Sequence, residues 1–190
     1  MQDELHKFLF EGLPVRGMLV RLGASWREVQ ARHAQQGAYP APVRTLLGEM
    51  AAAAALMQAN IKFDGALVLQ VFGDGPVKVA VVEAQPDLAY RATAKVVGTV
   101  ADDARLAAMT NLRGKGRCSI TLDPKDRSGG AQPYQGIVAL HGDDGAFDRS
   151  FWQSVTPAQR MAAVWTLVLE DLAWRSPDGP EPRLQRSVCR

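Results

Sequence analysis

The stretch IKFDGALVLQVFGDGPVKVAVVEA, residues 61–84, constrains the fold more than any other part of the chain. It holds two runs rich in strand-forming residues, 66–72 and 77–84, separated by Gly73-Asp74-Gly75-Pro76, where glycine permits the backbone angles of a tight reversal. The reading is a β-hairpin. A second turn, Asp64-Gly65, precedes it. Before that lies a helical run, residues 42–60, so poor in charge that it is expected to be buried against the hairpin.

Upstream, residues 5–10 form a short apolar patch and residues 15–22 alternate as a strand does. Ser25-Trp26-Arg27-Glu28 has the spacing of a capping box, which predicts a helix running to about Gln36, stopped by Gly37, Pro40 and Pro42. In the helix that follows, Leu46, Leu47, Met50, Ala54 and Met57 share one face, as a packed core helix requires. The thioethers would equally suit an adaptable apolar surface, but core packing is the reading adopted.

Downstream, residues 90–97 alternate with Arg91, Thr93 and Lys95 on one side, so the third strand has a wet face. A short helical segment is expected within 101–112, then a hairpin of strands 118–122 and 134–141. The sum is an α+β fold, with antiparallel sheets in hairpins and a meander packed against helices.

Composition excludes several classes of function. With 47% hydrophobic and 22% charged residues among 190, the chain can bury an ordinary globular core. Its formal charge of +2 is too balanced to point to nucleic acid or a membrane surface. No run reaches the ~18 apolar residues of a membrane span, and the N-terminus lacks a signal core, so a cytoplasmic protein is expected. Cys118 and Cys189 have no metal-ligand spacing, and Cys118 reads as a small buried hydrophobe inside an apolar strand.

Chemistry-bearing motifs are sparse. RGKGR, with Arg113, Lys115 and Arg117, invites a phosphate or nucleic-acid reading, but it lacks P-loop spacing and a strand follows it, so a turn with solvated charges is expected. His6, His33 and His141 stand apart from any nucleophile motif, and His33 is expected to face solvent. Asp64 and Asp74 occupy turn positions, where aspartate bonds to backbone, so no acid–base pair with Glu83 is read and no enzyme is expected.

The series FLFEGLPVRGMLVRL, YPAPVRTLLGEMAAAAALMQANIKFDGALVLQVFGDGPVKVAVVEA, RGKGRCSITLDP and YQGIVALHGD resembles the N-terminal, client-binding domain of the thirty-three-kilodalton chaperonins over about residues 1–143. The resemblance implies an ATP-independent holdase that binds unfolded proteins under oxidative or heat stress, as a cytoplasmic homodimer without a catalytic site. It also implies a C-terminal module whose four cysteines hold zinc as a redox switch. These 190 residues offer no counterpart to that module, so neither zinc nor any other cofactor is expected, only the thiols of Cys118 and Cys189.

From about Gly145 the resemblance fades and residues 144–190 read as a divergent tail. Thr156-Pro157-Ala158-Gln159 is a capped helix start, and an amphipathic helix is expected over about 157–175, with a final edge strand over 183–188. Met161, Val164, Trp165, Val168 and Leu172 form its apolar stripe, a candidate client-binding surface if it is not packed on its own domain or on a partner subunit.

Overall fold

A computed structural model describes residues 2–9, 16–127, 130, 132–140, 154, 156 and 159. The chain divides into two compact units, Met1–His6 with Leu19–Gly142, and Lys7–Met18 with Asp143–Arg190. Strands β1 (Glu4–Leu9) and β2 (Arg16–Arg21) make a two-stranded sheet. Helices α1 (Ala24–Gln36) and α2 (Ala41–Asn60) follow. The chain then lays down β3 (Gly65–Phe72), β4 (Val77–Ala84) and β5 (Tyr90–Val96), the short helix α3 (Leu106–Thr110), and β6 (Arg117–Pro124) and β7 (Tyr134–Ala139).

The predicted hairpins form within a residue or two of their expected bounds. Their arrangement is the added information: one antiparallel sheet of five strands in the order β5-β4-β3-β6-β7. Strand β6 returns to lie beside β3, setting Leu67 opposite Leu122 and Val71 opposite Cys118.

Core packing follows from the strict alternation of β3, in which Leu67, Leu69 and Val71 are buried. Their cross-strand partners Ala80, Val82 and Ala84 on β4 share that face, and α2 packs over β3, β4 and β5. Val43, Leu47, Ala51 and Ala54 of α2 lose all contact with water against it. The charge-poor stripe is therefore core. On β5, Arg91, Thr93 and Lys95 are exposed as expected, and Arg91 pairs with Glu83 across the ladder.

Two local expectations are corrected. The Ser25–Glu28 capping box does not form: the cap of α1 is Gly23, without a side-chain hydrogen bond of its own. The Asp3 carboxylate, arriving from ahead of β1, accepts the orphan amides of Gly23 and Ser25 instead. Ser25 Oγ lies 3.0 Å from Tyr90 Oη, and Glu28 pairs with Arg32 one turn on. His33 does not face open solvent. It is half-buried, with Nε2 at 2.9 Å from the Ala92 carbonyl and its ring edge-on to Tyr39.

In the second unit, the Thr156 amide donates to Gln159 Oε1 at 2.8 Å, and the Gln159 amide returns to Thr156 Oγ1 at 3.3 Å. This is the capping box predicted there. The expected helix over 157–175 and the edge strand over 183–188 otherwise lie outside the described residues.

Candidate functional site

In the RGKGR loop Gly114 has a φ of 71°, and a Cβ at Gly116 would lie 2.6 Å from the Thr110 carbonyl, so the backbone accounts for both glycines without a ligand. Asp74, in the β3–β4 turn, reaches across and accepts the amides of Arg113 at 2.9 Å and Lys115 at 3.1 Å. In return its own amide donates to the Thr110 carbonyl. A side chain at Gly75 would collide with the Met109 carbonyl, the added Cβ lying 2.4 Å away. The amides that would have cradled a phosphate are thus filled by an internal carboxylate. Arg113, Lys115 and Arg117 stay exposed around it, so the phosphate or nucleic-acid reading has no built site behind it.

That carboxylate is perturbed by its position. Desolvation pushes the Asp74 carboxyl up, but the surrounding amides of Lys115, Arg113 and Leu112 and its own amide outweigh this and hold it below the ordinary aspartate range. The Cys118 thiol, half-buried in β6, is pushed up by burial, which disfavours the nucleophilic thiolate. Cys189 and the stripe Met161, Val164, Trp165, Val168 and Leu172 lie outside the described residues.

A cleft of about 540 Å³ between β1, β2, α1 and the β4–β5 turn is lined by Asp3, Glu28, Arg32, Leu88 and Tyr90. Its polar groups are engaged with one another: Glu28 with Arg32, Ser25 with Tyr90. Leu88 there adopts a positive φ of 66°, a turn conformation uncommon for a branched residue.

The feature that stands out is apolar. Helix α2 covers β3–β5; farther along the same face Cys118 and Leu122 of β6 still pack against the core, while Ile120 of β6 and Tyr134 and Val138 of β7 are exposed. Register places Ile120 opposite Gly136, Leu122 opposite Tyr134 and Cys118 opposite Val138, so these side chains share that face. Ile120 is 37% exposed, Val138 63% and Tyr134 74%, far beyond what core strands show. A Cβ at Gly136 would meet nothing within 4 Å, leaving open room over Ile120 between Tyr134 and Val138. Ile137, on the opposite face, is 57% exposed. Sequence reasoning found β7 but did not single out its side chains. The available signal was the run YQGIVA itself, apolar on both faces and without a charge.

A family model described as Hsp33 protein matches residues 3–175. The chain belongs to the Hsp33 family. The Hsp33 match takes in the described strands and helices and also the stretch 157–175, where the amphipathic tail helix was expected. The 33 kDa chaperonin of Chromobacterium violaceum is 50% identical over 142 residues, 74% of this chain and 45% of that protein. The 33 kDa chaperonin of Aliivibrio salmonicida is 41% identical over 154 residues, 78% of this chain and 49% of that protein. The chain therefore spans less than half the length of these Hsp33 relatives. A crystal structure of the 33 kDa chaperonin (heat shock protein 33 homolog) from Thermotoga maritima superposes with a TM-score of 0.54 at 18% identity, covering 80% of this chain and 51% of that one. That likeness supports the α+β fold.

A zinc centre of four thiolates does not fit the residues present. Cys118 and Cys189 are the two cysteines of the 190 residues, and no group of three or more His, Cys, Asp or Glu among the described residues is placed to hold a metal. Among the described residues no helix is long and apolar enough to cross a membrane.

Proposed function

We propose that this chain is an ATP-independent holdase: it binds unfolding proteins in the cytoplasm and keeps them from aggregating, without performing catalysis. Membership of the Hsp33 family supports the class of activity. The observation that carries the reading is the exposed apolar strip of Ile120, Tyr134 and Val138 on the β6–β7 hairpin. Surface of this kind lowers its free energy by burial against another apolar surface, at about 25 cal/mol per Å² before ordering costs. Capture is by area, so no single side chain carries it. The tail positions Met161, Val164, Trp165, Val168 and Leu172 extend the same chemistry, and two copies of the chain associate as a homodimer.

These 190 residues carry two cysteines, so the protection they give by themselves is proposed not to depend on peroxide. Light scattering by a heat-aggregating client protein, with and without hydrogen peroxide, tests this. The expected result is suppression of scattering at near-equimolar protein in both conditions. Suppression that strictly requires peroxide would overturn the constitutive reading, and none in either condition would overturn the holdase reading. Size-exclusion chromatography with light scattering tests the homodimer.

A further inference from the structure

The two edges of the five-stranded sheet are finished differently. On β5 the outward-facing backbone is plugged by side chains. Tyr39 Oη donates to the Ala94 carbonyl at 2.8 Å and accepts the Ala94 amide at 3.0 Å. The His33 ring meets the Ala92 carbonyl at 2.9 Å. Three of the four outward backbone groups of Ala92 and Ala94 are thereby engaged.

The other edge, β7, has no such protection among the described residues. The Leu140 amide donates to the Gly116 carbonyl at 2.8 Å. Alternation along an antiparallel ladder then turns the backbone groups of Val138, Gly136 and Tyr134 toward β6, and those of Gln135, Ile137 and Ala139 outward. All six residues of β7 are exposed. None is charged or a proline, and among the described residues no lysine, proline or covering loop guards this edge in the way sheets protect a free strand.

We propose that β7 is a strand-addition site, at which an extended, uncharged segment of an unfolded polypeptide pairs with the outward amides and carbonyls of Gln135, Ile137 and Ala139. This deepens the holdase reading and rests on it, since it says how a client is held. Main-chain pairing is indifferent to sequence and so suits clients of many sequences, while Tyr134, Val138 and Ile137 offer apolar contact to side chains on both faces of the added strand. A second copy of this chain is the poorer occupant. A two-fold contact is self-complementary in shape and charge, and this edge has no charge and, at Gly136, open space rather than a socket.

The test uses the full chain and reduced, carboxymethylated α-lactalbumin, a permanently unfolded probe. Residue-resolved hydrogen exchange is expected to show the outward amides of Gln135, Ile137 and Ala139 exchanging freely alone and slowly with the probe. The ladder amides of Gly136 and Val138 are slow in both. Ala139→Pro, which removes an outward donor but no ladder bond, is expected to weaken probe binding about fivefold, with Ala139→Ser binding as wild type. Probe binding with the outward amides still unprotected would overturn the edge while leaving the holdase reading intact. Absence of probe binding would overturn both. Outward amides slowed by protein concentration alone would assign the edge to a second copy and overturn the proposal.

Discussion

Asp74 ties together two turns that lie 39 to 41 residues apart in the chain, and its charge state matters for that tie. Its folded pKa is depressed, so the stability it contributes is present above the unfolded value of about 3.9 and is lost as pH falls through the lower folded value. Asp74→Asn is therefore expected to flatten the dependence of unfolding free energy on pH below about pH 4, measured by urea denaturation at a series of pH values. An unchanged slope would show that Asp74 does not report this contact. Asp3 acts in the same sense. Desolvation raises its carboxyl, but hydrogen bonds from Gly23, Ser25 and Ala24 bring it below the ordinary range. Asp3→Ala removes the substitute cap of α1 and is expected to cost about 1 kcal/mol in thermal or urea unfolding. Gly75→Ala sets a methyl group against the Met109 carbonyl and is expected to cost roughly 1–3 kcal/mol by the same measurement.

Helix α2 is the element on which the core depends. Leu47 is completely buried against the sheet, and Leu47→Ala is expected to cost about 2–5 kcal/mol, depending on how far the cavity collapses. For β5 the informative change is Tyr39→Phe, which strips the plug from Ala94 while keeping the ring. It is expected to cost about 1 kcal/mol and to raise concentration-dependent association in sedimentation velocity. These elements also mark what the sequence could disclose. Strand and helix existence followed from local pattern: strand-forming runs on either side of a glycine turn for β3 and β4, clean alternation for β5, and a charge-poor 3.6-residue stripe for α2. Sheet order did not, because alternation fixes which face is buried and says nothing about which strand is the neighbour. The cap of α1 was misassigned because Ser25–Glu28 has the right local spacing, whereas Asp3 lies some 20 residues away in the chain. The solvent-facing reading of His33 fails for the same reason: its partner, Ala92, comes from strand β5, distant in the chain. The open strip was half legible. The run YQGIVA announces a strand apolar on both sides, but that α2 stops short of it is a fact of packing.

At the scale of the whole molecule, family membership was legible because several short turn motifs recur together in one order. The structure gives each of them a mechanical reason. GDGP and RGKGR interlock through Asp74, and YQGIV is the strand at the far edge of the sheet. The finish of the two edges bears on stoichiometry. A sheet open on both sides passes its pattern onward, because each strand added on one side leaves the other side free to recruit again. A sheet plugged at Tyr39 and His33 and open at β7, if strands add there as proposed, takes a strand mainly on one side, its plugged side offering few points of attachment. Such a molecule behaves toward a growing cross-β assembly as a chain terminator does toward a polymer, ending growth at the site it occupies.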